Sequence, residues 1–247
     1  MRTDVLGVGF DDISAGQAAL HSIGLIDAGE KTYIVTPNPE IVWQCRHDGN
    51  LRDAVNEAGL VLPDGIGIIM AARILGTPIS AGRAPGIDFA TSLFQKMAET
   101  GRSVFLFGAK PGVAEDAGLR LAGEYPGLVI AGASDGYITD DTLLIGQINA
   151  VKPDLLLVCL GSPKQELWMA QNLSRLNVRL CAGLGGSLDI FAGRAKRAPA
   201  FFLKFGLEWF YRLICEPRRI KRMIKLPLFL FAVILRRVRG KALLAAL

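Results

Sequence analysis

The sequence predicts an α/β protein: a mostly parallel β-sheet flanked by helices, with a basic helical appendage at its C-terminal end. Three observations carry this. Short apolar runs alternate with helix-length amphipathic stretches through the second half of the chain, the rhythm of a parallel sheet covered by helices. One of these runs, Leu155 to Leu160, is apolar at every position, as a strand buried on both faces requires. The charge also changes sign along the chain. Fourteen of the 28 Lys and Arg lie from Arg194 onward, against two of the 23 acids, Glu208 and Glu216, so the tail carries +12. The preceding residues hold 14 basic and 21 acidic side chains, a net −7. The expected organisation is therefore an α/β domain over 1–193 and a basic, amphipathic appendage over 194–247.

Size and composition allow one large domain with such an appendage: 247 residues, 51% hydrophobic and 21% charged. The four cysteines, Cys45, Cys159, Cys181 and Cys215, are scattered without a CxxC, and the only histidines are His21 and His47. That pattern points to a reducing compartment with no structural disulfide, no zinc site and no cofactor, with Cys159 and Cys181 as core thiols. The opening MRTDVLGVGFDD lacks the apolar stretch of a signal peptide. No run reaches the roughly 18 apolar residues needed to span a bilayer.

In order, residues 4–9 (DVLGVG) read as a short strand, and Ser14 caps a helix running to about Ala28. Thr32 to Thr36 is rich in β-formers; Pro37-Asn38-Pro39 stops it and starts a helix to about Arg46. Leu60 to Leu62 is a strand ending in Pro63-Asp64-Gly65, followed by an almost wholly apolar, buried helix from Ile66 to Leu75. The loop Gly82 to Gly86 presents Arg83 before the helix Ile87 to Glu99. The βα rhythm follows: strand Val104 to Phe107, helix Val113 to Glu124, strand Leu128 to Ala131, helix Asp141 to Val151, strand Leu155 to Leu160, helix Lys164 to Leu176, strand Val178 to Ala182.

Open α/β sheets bind ligands outside the carboxyl ends of their strands, where helix N-termini offer free N–H groups to phosphate. Gly161-Ser162-Pro163-Lys164-Gln165-Glu166 is such a place, with Ser162 as cap and Pro163 in the first helical turn. Thr36 and Asn38 occupy another, and turn and cap chemistry is the plainer reading of both. Asp64, at the edge of an apolar region, suits a general base; capping the next helix is the alternative. Arg83 is a cation for a ligand or a solvated surface arginine. Gly185 and Gly186 belong to the glycine-rich turn after the last strand.

In the tail, Gly193 to Pro199 is loop-like, and Phe201 to Cys215 is aromatic and apolar on a helical period. Leu226 to Leu235 is apolar, with Lys221, Arg222 and Lys225 before it and Arg236, Arg237 and Arg239 after. That suits an interfacial helix on an anionic membrane better than a span. Burial against the body or another subunit, giving a homo-oligomer, are the alternatives. The tail's aromatics share their helix with Leu, Ile and Gly, which favours packing over base stacking, so no nucleic acid partner is expected.

Together these pieces resemble the WecG/TagA/CpsF family of glycosyltransferases. The matching stretches run from Thr36-Pro37-Asn38-Pro39-Glu40 and Pro63-Asp64-Gly65 through Arg83 and the Gly161 to Glu166 loop to Gly185-Gly186. They continue through Gly206-Leu207-Glu208-Trp209 and Tyr211-Arg212-Leu213 to Glu216-Pro217-Arg218-Arg219. The resemblance implies transfer of a sugar from a UDP-sugar to a polyprenyl-diphosphate-linked saccharide, in surface polysaccharide or teichoic acid assembly on the cytoplasmic face of the membrane. N-acetylmannosamine, its uronic acid and glucose are the donors it implies. It makes Asp64 the catalytic base, and Thr36, Asn38, Arg83, Lys164, Gln165, Gly185 and Gly186 the lining of the substrate pocket. Arg212, Arg219 and Arg222 become the diphosphate-binding arginines of an appendage that touches the membrane. The sequence contains no Asp-x-Asp, so the expectation is inverting, metal-independent transfer. Cations and helix N-termini would then carry the leaving-group charge.

Two other readings compete. A nicotinamide-dependent oxidoreductase on a Rossmann-like sheet would need GxGxxG after the first strand, but Gly7-Val8-Gly9 is followed by Phe10-Asp11-Asp12. A non-catalytic membrane-surface protein would use the basic tail alone and leave Asp64 and Arg83 without a role.

Overall fold

The computed structural model describes residues 2–215, 220 and 225–245, without the side chains of Ala200, Arg212 and 240–245. Its centre is a six-stranded, wholly parallel sheet, and the layers on either side are helical. The chain opens with β1 (Thr3–Val5) and β2 (Val8–Phe10), then α1 (Ala15–Ala28), β3 (Thr32–Val35), α2 (Pro39–Cys45) and α3 (Gly49–Asn56). It continues with β4 (Leu60–Val61), α4 (Ile66–Leu75), α5 (Gly86–Glu99), β5 (Ser103–Gly108), α6 (Val113–Glu124) and β6 (Val129–Ser134). Then come α7 (Asp141–Val151), β7 (Leu155–Cys159), α8 (Lys164–Asn172) with a 3₁₀ turn at Leu173–Arg175, β8 (Leu180–Gly183) and α9 (Ser187–Phe191). The tail forms α10 (Ala200–Lys204), α11 (Glu208–Cys215) and α12 (Lys225–Ala245).

The strand order is β4-β3-β8-β7-β5-β6. Side chains alternate across it as the pleat demands. Leu155, Leu157 and Cys159 enter one core with α1, α5, α6 and α9. Leu156 and Val158 enter the other with α2, α3, α4, α7, α8 and α12. All five residues of β7 are buried, as its unbroken apolar run requires. Burial pushes the Cys45, Cys159 and Cys181 thiols up to about 12, so they are inert core groups.

Local chemistry sets the helix starts. Ser14 and Gln17 form a capping box on α1. Asn38 caps α2 by accepting from the N–H groups of Glu40 (3.0 Å) and Ile41 (3.1 Å), with Pro39 at the first position.

Three expectations are corrected and one helix is added. Residues 4–9 are not one strand but an antiparallel hairpin outside the main sheet, because Leu6 (φ 55°) and Gly7 (φ 94°) turn the chain in the left-handed region. Helix α3, which the sequence reading passed over, buries Leu51, Ala54 and Val55 on one face and is capped by Asp48, which accepts from Leu51 N–H at 3.0 Å. Ser162 does not cap α8: the cap position is Pro163 and no side chain closes it. The aromatic stretch 201–215 is two helices, broken at Gly206 (φ 69°).

The last helix also differs from an interfacial one. It runs 21 residues and packs on α2 and α4 through Phe229, Ala232 and Val233, which are buried. Three of the cations expected at a membrane dock it to the body instead. Lys225 Nζ lies 3.8 Å from Glu40 Oε1, Arg237 Nη1 donates to Leu75 O at 2.9 Å, and Arg236 Nη2 lies 2.7 Å from Asp4 Oδ1. The opposite face, with Leu228, Phe231, Ile234 and Val238, is exposed. Among the described residues no helix is long and apolar enough to cross a membrane.

If α12 is part of the folded core, Phe229→Ala should lower the unfolding free energy by about 3–5 kcal/mol. Urea unfolding followed by circular dichroism measures it; a loss under about 1 kcal/mol would mean a loosely attached helix.

Candidate active site

The carboxyl ends of β3, β4, β5, β7 and β8 all point to one edge of the sheet, and the turns that leave them surround a polar cavity of about 740 Å³. A second cavity, of about 610 Å³, lies beside it between α4, α11 and α12. The two share four lining residues: Asn38, Glu40, Asp64 and Glu208. A depression of similar size on α1, around His21 and Leu25, is remote from the strand ends and takes no part.

Asp64 is half-buried on the turn from β4 to α4. Its backbone N–H donates to Pro37 O at 3.4 Å, which ties that turn to the one after β3. The cap of α4 is Gly65 (φ 88°), and no side chain caps this helix. Asp64 stands one residue before that cap position. A Cβ on Gly67 would lie 2.6 Å from Pro39 Cγ, so α4 meets α2 as closely as it does because the residue there is glycine.

The polar cavity brings Thr36, Asn38, Asp64, Gln165, Gly185 and Gly186 together on one lining. Thr36 Oγ1 reaches Gly183 O at 3.4 Å and joins the ends of β3 and β8. Asn38 uses its side-chain oxygen on the α2 cap, so the plainer reading of that residue is realised alongside its place on the cavity wall. Gln165 is buried and oriented at both ends. Its Oε1 accepts from Gly185 N–H at 2.9 Å, and its Nε2 donates to Glu166 Oε1 at 2.8 Å.

Arg83 lines the second cavity rather than the polar one, and its guanidinium donates to Leu203 O in α10. Its loop is fixed from behind. Asp12 accepts from the N–H groups of Ser80 (3.0 Å) and Ala81 (2.7 Å), which lowers its pKa, and Ala84 N–H donates to Pro63 O at 2.8 Å. Lys164 borders neither cavity: its Nζ reaches towards Gly136 O at 3.5 Å along the surface. Arg212 has a described backbone in α11 but no described side chain, and Arg219 and Arg222 lie outside the described residues.

Sequence reasoning overlooked several wall residues. Lys110, Arg194 and Lys196 bring cations to the polar cavity. Arg194 also pairs with Asp116. The signal was there: Lys110 lies just after a strand, and Arg194 and Lys196 lie in the basic loop after Phe191. Glu40 and Glu208 sat inside quoted motifs without a role, and both line the two cavities.

Glu166 was the least visible. It is 1% exposed, and burial raises its pKa; hydrogen bonding from Gln165 and the nearness of Ser162 offset this only in part. Its Oε2 and the Ser162 Oγ make no hydrogen bond of good geometry among the described residues. An acid whose folded pKa is raised holds its proton where the unfolded chain has lost it. Stability therefore falls as pH rises from the ordinary 4.5 through the raised value. Glu166→Gln keeps the Oε1 acceptor and removes the titration. The variant should gain on the wild type as pH rises from 4.5 to 7.5, read as a widening difference in Tm; parallel Tm curves would contradict the assignment.

The chain belongs to the WecG/TagA/CpsF glycosyl transferase family, whose model matches residues 3–243. It is similar to the N-acetylglucosaminyldiphosphoundecaprenol N-acetyl-beta-D-mannosaminyltransferase of Bacillus spizizenii, 38% identical over 209 residues, covering 85% of this chain and 81% of that one. The protein of the same name from Staphylococcus aureus is 35% identical over 237 residues, covering 94% and 92%. Family membership sets the oxidoreductase alternative aside, and with it the missing third glycine after β1.

Proposed function

We propose that this glycosyltransferase moves an N-acetylmannosaminyl group from a UDP-sugar to N-acetylglucosamine carried on a polyprenyl diphosphate, in cell-surface polysaccharide or teichoic acid assembly. The acceptor and the sugar are those named for the relatives' activity. The uronic acid of N-acetylmannosamine and glucose are the other donors the family resemblance implies. The observation that carries the reading is the position of Asp64 on the ridge between a polar, cation-lined cavity and an apolar one. A transfer between a water-soluble nucleotide sugar and a lipid-linked sugar needs its base at such a boundary.

The donor occupies the polar cavity, with its diphosphate near Lys110, Arg194 and Lys196. Asp64 takes the proton of the acceptor hydroxyl, whose oxygen attacks the anomeric carbon. The bond from that carbon to the diphosphate oxygen breaks, and UDP leaves with the electron pair. One displacement inverts the anomeric centre. Cations and helix N-termini stabilise the departing diphosphate in place of a metal held by Asp-x-Asp. Arg212, Arg219 and Arg222 are assigned to the same diphosphate chemistry, since arginine forks match phosphate oxygens in pairs. Loss of one such contact should cost about 2–4 kcal/mol in the transition state. The enzyme works at the inner face of the cell membrane as a peripheral protein.

Asp64→Asn should abolish UDP release from UDP-N-acetylmannosamine and a lipid-linked acceptor while UDP still binds in calorimetry. Wild-type rates in this variant would remove Asp64 from the mechanism. Transfer should also survive EDTA; loss restored by manganese would overturn the metal-independent reading.

A further inference from the structure

We propose that the apolar cavity between α4 and α12 holds the first isoprene units of the acceptor lipid, so that α12 acts as a wall of the substrate site. The inference rests on the lipid-linked acceptor reading above and adds the part of the acceptor that the protein itself recognises.

The lining carries the chemistry. Ile66 and Met70 come from α4, Trp209 from α11, and Leu226, Pro227 and Leu230 from α12. Met70 (45%) and Trp209 (39%) stay substantially exposed beside this space although both are large and apolar. Met and Trp side chains adapt well to an irregular hydrocarbon ligand. The volume of about 610 Å³ falls within the range of small-molecule sites.

Position carries the rest. The cavity meets the polar one at Asp64, and Arg83 stands on its wall. An acceptor is a linear amphiphile: sugar, diphosphate, prenyl chain. With its sugar hydroxyl at Asp64, its chain meets an apolar cavity on this side. The wall is built rather than incidental. Phe229 both lines the cavity and is buried against the body, and Lys225, Arg236 and Arg237 fix the helix. The exposed apolar face of α12, including Phe231 (66%), is a separate surface that does not border the cavity. Recognition of the chain and contact with a bilayer are thus separable by mutation.

The test is transfer by the full chain in detergent-free buffer without vesicles. Two acceptors are compared, farnesyl-diphosphate-N-acetylglucosamine and methyl-diphosphate-N-acetylglucosamine. A protein pocket for isoprene lowers the wild-type KM for the farnesyl acceptor roughly tenfold or more, given the free energy of burying a few methylenes. Met70→Asp brings the ratio of the two KM values close to one, whereas Phe231→Asp leaves the ratio as it was. Because the ratio is internal, a general loss of folded protein does not mimic this result. Equal KM values for the two acceptors in the wild type, or a ratio that survives Met70→Asp, would overturn the inference while leaving the transfer reaction intact. If neither acceptor is used, the transfer reading fails on its own, and titration with farnesyl diphosphate then decides for the cavity. A saturable change in Trp209 fluorescence, absent in Trp209→Phe and weakened in Met70→Asp, supports it; no change overturns it.

Discussion

Parallel strands end together, and the candidate site depends on that constraint more than on any single contact. β3, β4, β5, β7 and β8 deliver five turns to one edge of the sheet. Thr36, Asp64, Lys110, Gln165 and Gly185 come from distant parts of the chain and meet only because the strands share a direction. The turns are then locked to one another. The side chain of Gln165 joins the turn after β7 to the glycine turn after β8, and Asp64 N–H joins the turn after β4 to that after β3. Such cross-bracing is what a preorganised electrostatic site needs, since its groups must not have to reorient during reaction.

On this frame α12 adds the second environment. It packs on α4 through Phe229, Ala232 and Val233 and sets Leu226, Pro227 and Leu230 beside Ile66 and Met70. With it, an apolar space forms next to a polar one, and the boundary falls at Asp64. The tail's positive charge acquires a different meaning as well. Lys225, Arg236 and Arg237 hold the helix against Glu40, Asp4 and the end of α4. Part of the basic excess therefore builds the site, and residues such as Arg239 on the outer face remain for other anions.

Much of this was legible in the sequence, for physical reasons. Helices α4, α6 and α7 were bounded correctly, and each starts directly after a glycine or a capping acid: Gly65, Gly112 and Asp140. Strand β7 was plain because burial on both faces leaves no polar position. The hairpin was not, since its turn rests on Leu6 in a conformation that side chain seldom adopts. Glu166 was hidden because the run Lys164 to Glu166 read as a solvated helix start, and only the packing of α8 shows that Gln165 and Glu166 turn inward while Lys164 does not. The packing of α12 could not be read either: an apolar run with cations at both ends favoured a membrane surface over the body, and long-range partners such as Leu75 O show the packing on the body.

The central claim is that Asp64 stands where a nucleotide-sugar site and a lipid site meet. A crystal structure of the protein with a UDP-sugar and an unreactive short-prenyl acceptor analogue tests it most directly. The predicted result places the nucleotide against Lys110 and Gly185, the prenyl chain between α4 and α12, and the acceptor hydroxyl about 3 Å from the Asp64 carboxylate. Both ligands in the polar cavity, or an acceptor hydroxyl directed away from Asp64, would contradict it.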